Sequence, residues 1–136
     1  MWIACLTVEQ VEDNWDRIKS LLQPAIDQSD EELTADDVLG FVQDEVMFVM
    51  IAGEQQEIDL AIVIHPTPYA NKKVCTFALI GGKGVRQLVS EHKDVFFDLA
   101  RDFGCSDIEI HGEGMARLLR RFGTVRKVRT IMRAEV

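Results

Sequence analysis

Hydrophobic positions along the chain switch repeatedly between a spacing of two and a spacing of three or four, the signatures of strand and helix. Residues 2–7 form a short apolar stretch compatible with a strand. Thr7 followed by Gln10 is a capping-box pattern that opens a helix, along which Val8, Val11, Trp15, Ile18 and Leu22 share one face. Gln23-Pro24 is expected to interrupt or end this helix. The acidic stretch 27–32 reads as a solvated turn. Thr34 can cap a second helix, with Val38, Phe41, Val42 and Val46 at helical spacing and Gly40 as a weak point.

The texture then changes. Residues 46–52 are rich in Val, Ile, Phe and Met, residues 53–56 turn the chain, and residues 57–65 place Ile58, Leu60, Ile62 and Ile64 on one side of a pleat. This predicts a hairpin whose second strand stops at His65-Pro66-Thr67-Pro68, since proline cannot donate to a ladder. A turn at 71–73 leads into a strand over 74–80, and a glycine-rich link, 81–84, leads into a long helix over 85–103. The stripe of that helix is Leu88, His92, Val95 or Phe96, Leu99 and Phe103, with Gly104 as terminator. A brief strand over 107–111, a short helix over 114–122 and a last strand over 125–134 complete the order β-α-α-β-β-β-α-β-α-β. Val128 is out of phase with Val125 in the last strand, which predicts a bulge or burial on both sides. The sheet should be mixed, an antiparallel meander followed by one parallel crossover.

At 136 residues, 47% of them hydrophobic and 28% charged, the chain is long enough for one core and too apolar for disorder, so a single domain over 1–136 is expected. No apolar run approaches the ~18 residues that a membrane span needs. The first residues lack a basic segment and a cleavage site, and Cys5, Cys75 and Cys105 stand far apart. Both features point to reduced thiols in the cytoplasm. The net charge of −8 hides a gradient. Residues 1–65 carry 15 acids against Arg17 and Lys19, whereas residues 66–136 carry 13 bases against eight acids. Either the halves neutralise each other across the fold, or the acidic N-terminal half and basic C-terminal segment meet a protein partner or a second copy of the chain. The basic run has only Phe122 as an aromatic, which argues against nucleic acid. Three histidines and three cysteines show no zinc-ligand spacing, so no metal is expected.

Chemistry concentrates at Leu79-Ile80-Gly81-Gly82-Lys83-Gly84-Val85, where a strand gives way to a helix. Backbone amides at a helix start attract anions, glycines bare them, and Lys83 adds a cation. A P-loop is excluded because Phe77 and Gly84 stand where glycine and a hydroxyl residue are needed. A dinucleotide fingerprint is excluded because Gln87 stands where its third glycine belongs. By itself, a glycine turn before a helix is more often plain structure.

In this element order the chain resembles the GNAT-type acetyltransferase superfamily. There the turn after the fourth strand carries Q/R-x-x-G-x-G/A, whose amides hold the pyrophosphate of acetyl-CoA. Residues 79–84 fit this pattern except at Leu79. Residues 99–105, followed by Ile108-Glu109-Ile110, are similar to the family's A-x-x-x-G-x-x-x-I-x-L passage. The helix over 115–122 followed by Gly123 is similar to the closing N-x-x-A-x-x-L-Y-x-x-x-G-F segment. There Gly112, Met115, Leu119 and Thr124 stand for its Asn, Ala, Tyr and Phe. The Tyr commonly protonates the departing thiolate, and a leucine has no proton to give. The chain also looks like small diverged GNAT-like proteins of bacteriophage genomes.

The resemblance implies an α/β (α+β) fold, a GNAT-like mixed sheet with helices on both faces. It implies acetyl-CoA or another acyl-CoA as cofactor, held by Gly81, Gly82, Lys83, Gly84 and Val85. It implies an N-acetyltransferase with a non-standard active site, or else a catalytically inactive scaffold acting as a phage structural or protein-interaction component, in host cytoplasm or virion. Acyl transfer to an amine needs a base, an oxyanion donor and an acid. In this family the oxyanion donor is often a backbone amide of the fourth strand, here within 76–79. The available bases are Asp59, His65, Thr76, Glu109 and His111. His111, at a strand end beside the expected cleft, is the foremost catalytic candidate. His65 reads otherwise as a strand terminator and His92 as a packed histidine. Cys75 has no histidine at a telling spacing.

Overall fold

The computed structural model describes residues 1–110, 117, 120–123, 126, 128 and 130–136. Its elements are β1 (Trp2–Cys5), α1 (Val8–Asp13), α2 (Trp15–Asp27), α3 (Ala35–Gln43), β2 (Phe48–Gly53), β3 (Leu60–Pro68), β4 (Lys73–Gly82), α4 (Val85–Asp102) and β5 (Asp107–Ile110). Both predicted caps form. The Gln10 amide donates to Thr7 Oγ1 at 3.2 Å and the Thr7 amide to Gln10 Oε1 at 2.9 Å, and Thr34 and Asp37 repeat the exchange at α3.

The first helical stretch breaks at Asn14 rather than at Pro24. Asn14 adopts φ −112° and ψ 15°, and its side-chain amide donates to the Gln10 carbonyl at 2.8 Å. Pro24 lies inside α2, which continues because Ile18, Leu22 and Ile26 all bury on the same face. Packing of that stripe outweighs the one hydrogen bond that proline removes.

The five strands lie in the order β1-β2-β3-β4-β5, antiparallel throughout except for the parallel pair β4–β5. β3 does not stop at His65: Pro66 pairs with Cys75 and Pro68 with Lys73. The reason lies in its neighbour. β2 begins at Phe48, opposite Ile64, so past that point β3 is an edge on one side, where a missing N–H goes unnoticed. Val46, expected in a helical stripe and again at a strand start, belongs to neither element and is exposed.

Helices cover both faces of the sheet. On one face Val11, Ile18, Leu22, Val38 and Val42 of α1–α3 pack on Val49, Ile51, Ala61, Val63 and Leu79. On the other, Leu88, Val89, Phe96 and Ala100 of α4 pack on Met50, Leu60, Ile62, Ile64, Cys75 and Phe77. The faces expose an irregularity in β4. Phe77 faces α4 while Leu79, two residues on, faces α1–α3, because Ala78 is an extra residue without a partner between the pairs Ile64–Phe77 and Val63–Leu79.

α4 kinks at His92, which takes φ −132° and ψ 29°, and ends before Gly104 at φ 74°, the left-handed terminator that the sequence predicts. Of the helix expected over 114–122, residues 117 and 120–122 are described, and Phe122 lies edge-on to Phe96 (5.3 Å between ring centroids) and Phe97 (5.8 Å). Of the strand expected over 125–134, the described residues 126, 128 and 130–134 carry no strand pairing. The acidic turn meets the basic segment within the molecule: Arg133 bonds Asp30 at 2.8 Å and also reaches Glu32. No helix among the described residues is long and apolar enough to cross a membrane.

Candidate functional site

Among the described residues, β4 and β5 pair from Val74–Asp107 to Phe77–Ile110. From Ala78 to Gly82, β4 continues with no β5 partner among the described residues. The Lys83 amide donates to the Asp59 carbonyl at 2.9 Å, which makes Leu60–Gly82 a pair that does not exchange bonds directly. By alternation, Ile80 and Gly82 then direct their own N–H and C=O groups away from β3, toward the side on which β5 pairs with the earlier part of β4. Among the described residues, no strand pairs with this edge of β4 beyond Phe77.

That edge runs into the start of α4. Gly84 is its N-cap in the left-handed region (φ 97°), with no side chain capping the helix. The amides of Gly84, Val85, Arg86 and Gln87 have no partner among the described residues, while the Leu88 amide closes the first helical bond onto Gly84 at 2.9 Å. The side chain of Lys83 is exposed beside them.

Gly81 and Gly82 are explained by packing. A Cβ on Gly81 would lie 2.0 Å from the Leu21 carbonyl of α2, and one on Gly82 would lie 2.1 Å from the Asp59 carbonyl. Of the five residues picked out for the cofactor, Lys83 has its amide committed inside the fold. The Gly84 and Val85 amides have no partner among the described residues, and Gly82 turns its amide away from β3. Leu79, where the family has Gln or Arg, is buried against α1–α3.

Three of the five candidate bases meet. His65, Thr76 and Glu109 stand in register across β3, β4 and β5. Thr76 Oγ1 lies 3.4 Å from Glu109 Oε2 and 2.9 Å from Thr67 Oγ1, and Thr67 Oγ1 lies 3.4 Å from His65 Nδ1. At 4% exposure, Thr76 is the one buried polar side chain among the described residues. Asp59 sits elsewhere, accepting the Glu54 amide at 3.2 Å in the β2–β3 turn. His92 is half-exposed at the α4 kink, 3.9 Å from Glu91, rather than packed in the core. His111 falls outside the described residues. Thr67 went unnoticed in the sequence because the strand that carries it was expected to end before it.

Burial, with a neighbouring Cys105, pushes the Cys75 thiol up to about 12, which leaves it un-ionised and unsuited to nucleophilic attack near neutral pH. Hydrogen bonds from Lys72 and Ser106 hold the Asp107 carboxyl below its usual range. Among the described residues no three His, Cys, Asp or Glu side chains converge as a metal site.

No protein-family model matches the chain, and no curated protein does. Solved structures do match. A probable acetyltransferase superposes with a TM-score of 0.67 at 14% identity, over 99% of this chain and all of the other. The ribosomal-protein-alanine N-acetyltransferase of Brucella melitensis biovar Abortus 2308 gives 0.64 at 13% identity, over 98% and 99% of the two chains. A Trypanosoma brucei acetyltransferase gives 0.62 at 14% identity, over 99% of each. Element order, the mixed five-stranded sheet and these likenesses agree on one architecture: the chain has the fold of the GNAT-type acetyltransferases.

Proposed function

We propose that this chain binds an acyl-CoA along the β5-side edge of β4 beyond Phe77 and transfers the acyl group to an amine. One observation carries the reading: among the described residues, β4 beyond Phe77 has no partner on its β5 side, and it leads to four amides at the start of α4 that have no partner there either. A linear ligand with an amide-bearing arm and a pyrophosphate needs this pair of features. Edge amides and carbonyls of Ile80 and Gly82 match the arm, and the helix start matches the charge. Gly84, Val85, Arg86 and the Lys83 side chain would hold the pyrophosphate. The bound thioester would supply an activated carbonyl. Around it, the chain's own part is to offer a backbone donor near the Ala78 bulge and to take up the proton that an ammonium must lose before it can attack.

A second reading, a GNAT-shaped scaffold without turnover, is favoured by Leu79, which stands at the family's Gln/Arg position and is spent on the core. The phage kinship and an assembly role belong with this reading. Calorimetric titration with acetyl-CoA separates the two. The parent protein should bind, and Lys83→Glu, a change on an exposed side chain, should weaken binding about tenfold, or about 1.4 kcal/mol, without altering the circular dichroism spectrum. No heat at millimolar acetyl-CoA would sink the enzymatic reading and leave the scaffold.

A further inference from the structure

Two of the three cysteines meet. Cys75 lies on β4 and is buried, with Phe77, in the apolar layer under α4. Cys105 occupies the corner between α4 and β5 and packs against the same layer, while remaining partly open to solvent. Two backbone bonds fix that corner. The Cys105 amide donates to the Ala100 carbonyl at 2.8 Å, and the Ser106 amide donates at 2.9 Å to the carbonyl of Lys73, two residues before Cys75. With both main chains held, the Cys75 thiol donates a hydrogen bond to the Cys105 sulfur. Cys5, the most exposed of the three, lies on β1, and β2 and β3 separate that strand from the one that carries Cys75.

The thiols differ in what surrounds them. Burial and the Asp102 carboxylate both raise Cys5 above its ordinary value. Burial raises Cys105 as well, but there the Lys73 ammonium and the hydrogen bond from Cys75 work in the opposite direction. Of the three, Cys105 alone combines a neighbouring cation, access to solvent and a second sulfur beside it.

We infer that Cys75 and Cys105 form a reversible disulfide when the protein meets a peroxide. The Cys105 thiol gives up its proton, and its sulfur attacks one oxygen of hydrogen peroxide. The O–O bond breaks, the departing hydroxide takes that proton and leaves as water, and Cys105 becomes a sulfenic acid. The Cys75 sulfur then attacks the Cys105 sulfur. An S–S bond forms, the S–O bond breaks, and the leaving hydroxide takes the Cys75 proton as a second water. Two thiols lose two electrons and one peroxide gains them. The Cys75 thiol, pushed up to about 12, does not ionise on its own near neutral pH. It acts in this second step because its target stands beside it and the leaving group accepts its proton. The bond closes the segment from 75 to 105, which holds the rest of β4 and all of α4, and so restricts the unfolded chain.

The test needs no acyl-CoA and no turnover. The native protein is treated with hydrogen peroxide, its remaining thiols are alkylated, and it is digested without reduction for mass spectrometry. A linked peptide joining Cys75 and Cys105, two hydrogens lighter than the reduced pair, should dominate, with Cys5 alkylated. Dithiothreitol should reverse it. The melting temperature of the oxidised protein should stand about 5 °C or more above that of the reduced one. In Cys75→Ala the sulfenic acid has no second sulfur to react with, and dimedone should label Cys105. Four results would each overturn the pairing: no linked peptide, disulfides that join Cys5 of two chains instead, a 75–105 link that forms only in denaturing urea, or an oxidised protein that melts below the reduced one.

Discussion

At Gly81 the backbone of α2 comes so close to the sheet that a single added carbon would stand 2.0 Å from the Leu21 carbonyl. Neither partner can give way, since both are main chain in regular elements. Gly81→Ala should therefore destabilise the protein by about 3 kcal/mol or more, read as a lower urea midpoint with unchanged slope. Gly84 differs: its φ of 97° suits glycine, and the atom nearest to an added Cβ is the Cε of Met1 at 3.1 Å, the end of a flexible side chain. Two glycines three residues apart thus answer to different constraints, one to helix packing and one to the helix start. The sequence shows a glycine-rich turn and cannot apportion these roles, because Leu21 is distant in the chain and near only after folding.

Elements carry the same lesson one level up. The capping boxes at Thr7 and Thr34 are local chemistry, legible in four residues, and they form as expected. Pro66 and Pro68 are local signals too, yet β3 runs through them, because whether a proline breaks a strand depends on whether a neighbour needs its N–H. That dependence hid Thr67, one of the four residues of the polar cluster. The parallel strand β5 is tied to the β3–β4 turn by Lys72 and Asp107, 2.8 Å apart. The Asp107 carboxyl, held below its usual range chiefly by the hydrogen bond from Lys72, contributes stability that is fully present above the unfolded-state value near 4 and lost as the pH falls through the lower folded value. Denaturation midpoints measured from pH 5 downward should fall less steeply for Lys72→Met than for the parent. Both side chains are partly exposed, so the difference should be small and should shrink in high salt.

Among the described residues, the order of elements as far as β5, the mixed sheet and the helices on both faces were legible, since each is dictated by hydrophobic period and chain direction, whereas the expected last strand shows no pairing at 126, 128 and 130–134. The acidic and basic halves make at least one junction inside the fold, where Arg133 meets Asp30 and Glu32. The bulge in β4 escaped the sequence, because it is a property of the β3–β4 pair rather than of either strand alone. Ala78 is the residue just past the last described β4–β5 pair, Phe77–Ile110. Leu79, Ile80 and Gly81 already occupy the sides that an unbroken alternation after Phe77 would assign to the next three residues, so Ala78 is surplus to both hydrophobic layers. Excising it should splice β4 into a regular ribbon that keeps every flanking side chain in its own layer, with a melting temperature at or above that of the parent. If the kink exists to serve chemistry, this shortened chain will fold well and have lost its affinity for acetyl-CoA, a rare case in which a deletion removes a task and leaves the architecture whole.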